Sequence, residues 1–600
     1  MLPTLKLEKI VKIFPSKDKK VFKALNEISL TVYPGQISAL VGPDGAGKTT
    51  LIRLCAGLLR ANSGTILFQG KPFGPEQSAA RAQIGYMPQK FGLYEDLMVE
   101  ENLDLAAKLR GLPEDMKEER FERLLKMANL VPFRRRLAGA LSGGMKQKLV
   151  LISTLIVPPS LLLLDEPTVG VDPLSRKELW EMLDELVSSS DLAAVVGTSY
   201  LDEAEKCSEV CLLFGGQALA RGSPKALTAL SEGRSFLAKP KINISPRVFQ
   251  SWLMKNPATV DAVPQGGSVR LIVGEQGPSR EALLKGASEI SEIKAVKSRL
   301  EDSFLLLLKN KFKPSNSFAF LNSQTWALNP PRPKAKDGEG LDSDNVIETK
   351  GVWKFFGSFA AVKNVGFTVR RGEVFGLLGP NGAGKTTTFR LLCGLISSSR
   401  GEIKVAGVDA SRSRREARKR LGYVAQKFSL YGDLTVKENL DFFAGVYGLK
   451  GREKKKRLEE IVEDFSLTQR LNQAANDLPG GYQKRLAMAV GLIHRPSVLF
   501  LDEPTSGADP LARREFWLRV SDLAESGVTI VVTTHFMEEA EYCDRLLIQD
   551  SGEALAWGAP DEIRERVLGA NLEEATIEQA FIEIVRRSRI EKGPIEEAIN

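Results

Sequence analysis

The 600-residue chain contains itself twice. Gly42-Pro-Asp-Gly-Ala-Gly-Lys-Thr-Thr50 recurs as Gly379-Pro-Asn-Gly-Ala-Gly-Lys-Thr-Thr387, 337 residues on. Gln89-Lys-Phe-Gly-Leu-Tyr recurs from Gln426, and Asp165-Glu-Pro-Thr from Asp502, both at the same spacing. Two unrelated insertions would not preserve one offset across three motifs, so the chain reads as two homologous domains in tandem.

Both glycine-rich segments fit G-x-x-x-x-G-K-[ST]. Each follows an apolar run, Ile37–Val41 or Val374–Leu378, and precedes a helix-like stretch. Gly42, Gly45 and Gly47, like Gly379, Gly382 and Gly384, let a loop curl so that backbone N–H groups point at phosphate from a helix N-terminus. Asp44 and Asn381 belong to the same loops, and Thr50 and Thr387 complete them. Lys48 and Lys385 would neutralise the terminal phosphates, and Thr49 and Thr386 would offer a hydroxyl to Mg²⁺. The apolar strands Leu161–Leu164 and Val498–Leu501 end in Asp165-Glu166 and Asp502-Glu503. That puts carboxylates at the C-terminal edge of a sheet, where α/β folds bind ligands. Asp165 and Asp502 are expected to hold Mg²⁺ through water, and Glu166 and Glu503 to polarise an attacking water.

Composition removes several other classes. Two histidines and five cysteines without a CxxC pair cannot build a zinc framework. The odd, scattered cysteines (Cys55, Cys207, Cys211, Cys393, Cys543) read as reduced thiols of a cytosolic protein. No run of about 18 uncharged apolar residues occurs, and the richest stretch, Leu149–Leu164, is broken by Pro158 and Pro159. The net charge of +8 is modest, and clusters such as Lys454-Lys455-Lys456-Arg457 read as solvated helix faces.

Leu141-Ser-Gly-Gly-Met-Lys-Gln147 resembles the signature of ABC-transporter ATPases. With the phosphate loops, Gln89, Gln426, the two Asp-Glu-Pro-Thr segments and Gly-Val-Asp172 and Gly-Ala-Asp509 after them, the resemblance covers both copies. It is similar in particular to subunits of type-two ABC exporters with two fused nucleotide-binding domains. The residues that carry this are Leu-Tyr-x-Asp-Leu-x-Val-x-Glu-Asn-Leu after each glutamine and Thr534-His-Phe-Met-Glu-Glu-Ala-Glu541.

The resemblance implies an α/β fold of two P-loop NTPase domains, each with a helical signature subdomain, and a small α/β lobe after the first. It implies head-to-tail pairing of the two domains, each ATP lying between one phosphate loop and the other domain's signature. Ser142, Gly143 and Gly144, and Gly480 and Gly481, would then contact nucleotide, and Gln89 and Gln426 would join the metal site. Phe14 and Phe356 are candidates to stack on adenine, with core packing as the alternative. The implied partners are separate integral membrane permease subunits, two copies or a heterodimer, docked near the glutamine loops on the inner face of the cell membrane. No nucleic acid is expected. An importer ATPase of the tandem sugar-uptake type and a soluble tandem ATPase acting on ribosomes or nucleic acid stay open as alternatives.

The copies differ at two family positions. The family's phosphate-contacting histidine is His535 in the second copy, where the first has Ser199. The second signature reads Leu478-Pro-Gly-Gly481, with Pro479 lacking both the hydroxyl and the N–H of Ser142. The head-to-tail pairing that the resemblance implies would put both defects in one site. The other, with Lys385, Thr386, Asp502, Glu503 and His535, is intact and expected to hydrolyse ATP. Glu166, retained in the first copy, favours the alternative of two functional sites.

The expected organisation is a first nucleotide-binding domain over 1–221, an accessory lobe over 222–310, a proline-rich linker over 311–345, a second nucleotide-binding domain over 346–568 and a helical tail over 569–600. Arg299-Leu-Glu-Asp-Ser-Phe304 resembles Thr576-Ile-Glu-Gln-Ala-Phe581, as if one closing helix ended each half.

Overall fold

In the first copy the phosphate-loop strand, Ile37–Val41, lies inside a six-stranded sheet. The order is Gln217–Gly222, Glu209–Phe214, Ile37–Val41, Ala193–Thr198, Leu161–Asp165, Ile84–Met87. Of its five pairings, all but that of the outermost hairpin are parallel. The three central strands are buried along their whole length. Their unbroken apolar runs suit a parallel sheet covered on both faces.

Alternate residues feed two cores. Leu162, Leu164, Ala194 and Val196 meet helical residues such as Leu103, Phe121, Leu149, Leu179 and Leu183. Leu161, Leu163, Ala193 and Val195 meet Leu51, Ile52 and Leu54 of the phosphate-loop helix, Lys48–Cys55, and the antiparallel strands Leu5–Pro15, Val21–Val32 and Ser63–Phe68. The second copy repeats this division, with Leu499 and Leu501 on one face and Val498 and Phe500 on the other. There the antiparallel and parallel strands join into one ten-stranded sheet through the bridge Lys363–Glu553.

The structure, a computed structural model, describes residues 2–15, 21–89, 92–241, 244–274, 290–311, 344–410, 413–426, 428–478, 480–506, 510–534, 536–568 and 576–591. Pro479, His535, Asp509 and nearly all of the expected linker over 311–345 lie outside the described residues, as do 592–600 of the tail. Among the described residues no helix is long and apolar enough to cross a membrane. All five cysteines are buried and unpaired.

The chain forms two compact units, one chiefly Met1–Arg234 with Lys297–Phe312, the other chiefly Ser235–Val296, Lys313–Ala508 and Ala512–Asn600. The stretch 222–310 is therefore not one body. Its ends, the helices Pro224–Thr228 and Leu300–Lys311, pack with the first copy, joined by a hydroxyl pair between Ser231 and Ser303 at 2.7 Å. Leu300, Phe304 and Leu308 enter the first core, as Ile577, Phe581 and Val585 of Ile577–Glu591 enter the second. This i, i+4, i+8 stripe is why the two ends look alike in sequence.

Between those ends lies the true lobe, a four-stranded antiparallel sheet ordered Thr259–Gln265, Ser268–Val273, Ser235–Pro240, Ile290–Ala295, with the helix Pro246–Met254 against it. It packs on the second copy. Leu518 joins the lobe's core and Val263 joins the second copy's core. Arg247 donates to the Ser521 carbonyl at 3.1 Å and pairs with Asp544 at 3.4 Å, and Arg514 pairs with Asp261 at 3.2 Å. The Gly266 N–H donates to Glu541 at 2.9 Å. Burial pushes the Asp544 carboxyl up, and the Arg247 charge opposes it.

Candidate nucleotide site

Each phosphate loop is shaped by glycines that no other residue replaces. Gly45 and Gly47 have φ of +77° and +105°, and Gly382 and Gly384 have +82° and +95°, a region L side chains avoid. A side chain at Gly42 would strike the Leu213 carbonyl, and one at Gly379 the Gln549 carbonyl. Lys48 Nζ donates to the Gly42 and Pro43 carbonyls at 2.6 and 3.2 Å, and Lys385 Nζ to those of Gly379 and Pro380 at 2.5 and 2.9 Å. Each lysine thus arches over its own loop, at the head of the helix that begins with it.

In the first copy the sequence-separated partners converge. Thr49 Oγ1 donates to Asp165 Oδ1 at 3.0 Å, while Asp165 Oδ2 is buried with no hydrogen-bond partner. Burial pushes this carboxyl up. A carboxylate oxygen left bare beside a threonine hydroxyl is a donor set that suits Mg²⁺, which takes oxygen ligands. Lys48 pairs with Glu166 at 3.0 Å, and the other Glu166 oxygen accepts from the Ser199 N–H and hydroxyl at 3.2 and 3.3 Å. Burial also raises the Glu166 carboxyl, Lys48 opposing, which moves it toward the range of a general base.

The second copy is arranged differently. Asp502 Oδ1 accepts from Thr533 at 2.7 Å, and Glu503 Oε2 accepts from Gln426 Nε2 at 2.6 Å. Gln89 and Gln426 are both exposed. Ser142 caps the helix Gly143–Thr154, its Oγ accepting from the Met145 N–H at 3.3 Å. Gly144 is needed for packing, since a side chain there would meet Ser175. Gly480 and Gly481 begin the helix Gly480–Leu492, and both have open space where a side chain would go. The signature residues thus sit at helix heads. Phe14 lies opposite Phe22 across the first hairpin, and Phe356 opposite Phe359 across the second.

The ABC transporter family profile matches residues 25–169 and 362–506. Across 580 residues, 96% of this chain and 97% of the relative, the sequence is 47% identical to the "Probable multidrug ABC transporter ATP-binding protein YbhF" of Escherichia coli strain K12. The chain belongs to the ABC transporter ATP-binding family. It is an ATPase with two ATP-binding cassettes. Single-cassette relatives include the "Nod factor export ATP-binding protein I" of Ralstonia nicotianae, 42% identical over 40% of this chain and 74% of its own length. The "Linearmycin resistance ATP-binding protein LnrL" of Bacillus subtilis is 38% identical over 40% of this chain and 79% of its own.

Several features of the two ABC cassettes escaped sequence reasoning. Glu166 and Glu503 have φ of +53° and +42°, a left-handed backbone in non-glycine residues at the same place in both cassettes. Such strain, costing about 1–3 kcal/mol, gathers at functional sites. The glutamates within Leu201-Asp-Glu-Ala and Met537-Glu-Glu-Ala are fully buried staples. Glu203 accepts from Thr168 and Thr198 at 2.5 and 2.7 Å, and Glu539 accepts from Thr505 and, at 2.6 Å, from Thr534. They tie the loop carrying Ser199, and the strand end before His535, to the Asp-Glu-Pro-Thr segments. The Glu-Asn-Leu motif has a similar cause: Asn102 and Asn439 fold the preceding turn by accepting from the N–H of Tyr94 and Tyr431 at 3.0 and 3.1 Å. His494 follows a helix end but stacks on Tyr447, with ring centroids 3.7 Å apart. It is packed rather than displayed.

Proposed function

We propose that this ATPase powers export through integral membrane permease subunits on other polypeptides, two copies of one or a heterodimer, at the inner face of the cell membrane. One observation carries the reading: the likeness to a protein described as a multidrug transporter subunit runs the length of both chains. The names of the Nod factor and linearmycin relatives support the same direction. The substrate class we infer is a drug, lipid or other amphiphile.

In each cassette the phosphate loop, Lys48 or Lys385 and the adjoining threonines bind the triphosphate, with Asp44 and Asn381 at the loop. Mg²⁺ would be held by Thr49, Asp165 and Gln89, and by Thr386, Asp502 and Gln426. When bound it neutralises charge on the terminal phosphates. Glu503 accepts the proton of the attacking water, and His535 contacts the terminal phosphate. The two cassettes pair head to tail within one chain. The site built on Lys385, Glu503 and His535, completed by Ser142, Gly143 and Gly144, turns over. The site built on Lys48 and Glu166, completed by Pro479, Gly480 and Gly481, binds ATP and turns over slowly. Support comes from Ser199, whose short side chain reaches Glu166 rather than spanning the distance a histidine covers.

The test is purification of the tagged chain from detergent-extracted membranes, followed by reconstitution of the complex into vesicles. An integral membrane protein should co-purify stoichiometrically, with one chain per transporter, and ATP should drive accumulation of a cationic amphiphilic dye. Recovery of the chain without any integral partner contradicts the reading.

A further inference from the structure

We propose that Lys12 and Lys354 are positioning residues for adenine: each fixes the phenylalanine two residues on and fastens it to the phosphate-loop side of its cassette. This rests on the reading of Phe14 and Phe356 as the adenine platforms.

The observation is a duplicated geometry. Lys12 Nζ lies 5.1 Å from the centroid of the Phe14 ring, and Lys354 Nζ lies 5.1 Å from that of Phe356. Each ammonium also donates to a backbone carbonyl in the loop after the phosphate-loop helix, Lys12 to Arg60 at 2.8 Å and Lys354 to Ser397 at 2.9 Å. Arg60 and Ser397 are 337 residues apart, the repeat offset. Two more bonds flank each lysine. The Asn62 N–H donates to Val11 and Asn62 Oδ1 accepts from Ile13, at 2.8 and 2.9 Å. The Ser399 N–H donates to Trp353 and Ser399 Oγ accepts from Phe355, at 2.7 and 3.1 Å.

A lysine that only solvates a strand end has no reason to take the same two partners in both copies, because its long side chain has many equivalent rotamers. The bonds remain although asparagine became serine at the 62/399 position and arginine became serine at 60/397. The chemistry fits a base-binding surface. Phe356 is 51% exposed, so its ring has a face available for stacking. An ammonium on the opposite face is attracted by the ring's quadrupole and holds the ring against rotation. Because the same ammonium grips the loop that follows the phosphate-loop helix, it links the ring itself to the phosphate-loop side, where the flanking bonds hold only the strand backbone. The ligand class is a purine nucleoside triphosphate, recognised through its base.

The experiment compares ATP with inorganic tripolyphosphate, which offers the phosphates without the base. Affinities are measured by calorimetry on the full chain carrying Lys12→Met and Lys354→Met together, Phe14→Ala and Phe356→Ala together, or all four, with Lys12→Arg and Lys354→Arg as the conservative pair. The methionine pair should weaken ATP about fivefold, roughly the worth of a cation–π contact at a part-exposed site, and leave tripolyphosphate within about twofold. It should add nothing once both phenylalanines are alanine, and the arginine pair should restore ATP binding. Equal weakening of both ligands would make the lysines structural struts and overturn the proposal, as would ATP binding unaffected by the methionines while the alanines weaken it. If the alanines leave the ratio of the two affinities unchanged, the platform reading itself fails, and this inference with it.

Discussion

The Glu166 carboxylate is held on both sides, one oxygen paired with Lys48 at 3.0 Å and the other accepting twice from Ser199, at 3.2 and 3.3 Å. This pair of contacts makes a stability prediction. Lys48→Met leaves a buried carboxylate without its counter-charge and should cost about 3 kcal/mol. Ser199→Ala removes one of two donors and should cost about 1 kcal/mol. Glu166→Gln in the Lys48→Met background should recover most of the loss. Denaturant unfolding of the three variants beside the parent checks the order.

The left-handed backbone at Glu166 and Glu503 predicts a trade between stability and activity. Glycine relieves the conformational strain, so Glu503→Gly should stabilise the second cassette by up to about 1 kcal/mol while abolishing its turnover. Glu503→Gln should abolish turnover with no such gain. Differential scanning calorimetry of both variants beside the parent separates the two outcomes.

The lobe lies before the second cassette in sequence yet exchanges charge with it, Arg247 pairing with Asp544 and Arg514 with Asp261. Arg247→Ala should destabilise the unit containing the second cassette by about 2 kcal/mol, because Asp544 keeps a partly buried charge without its partner. Adding Asp544→Asn should remove most of that penalty. Hydrogen exchange followed at Val374, whose N–H donates to Asp544 at 2.9 Å, reports the change locally.

His494 predicts an acid-sensitive second cassette. Burial against Tyr447 pulls its pKa down from 6.5 to about 4. Between these values the unfolded chain binds a proton that the folded chain does not, so stability falls as pH drops from about 6.5 to about 4. The group contributes no slope above about pH 7. The loss reaches about 3 kcal/mol. His494→Phe should flatten this limb of the stability profile, measured by urea unfolding across the pH range.

The parts of the molecule legible in the sequence are those in which chemistry fixes residue type. Gly47 and Gly384 must accept positive φ, Lys48 and Lys385 must reach across the loop, and Asp165 and Asp502 must end a buried strand. Apolar runs without alternation marked Ile37–Val41 and Leu161–Leu164 as buried strands for the same reason. The lobe's place was not legible, because Arg247, Asp261 and Gly266 find partners about 250 or more residues away and no local periodicity records that. The strain at Glu166 and Glu503 was hidden as well, since a glutamate carries no mark of the φ it will adopt. The packing of His494 was hidden too, because it comes from Tyr447, 47 residues earlier.

The most direct test of unequal sites is steady-state ATPase activity of the assembled transporter with Glu503→Gln or Glu166→Gln alone. Loss of a positioned base costs about a hundredfold or more at a site that turns over. Glu503→Gln should therefore remove nearly all hydrolysis, and Glu166→Gln should leave at least half. Equal losses in the two variants would contradict the division of labour and return both cassettes to catalysis.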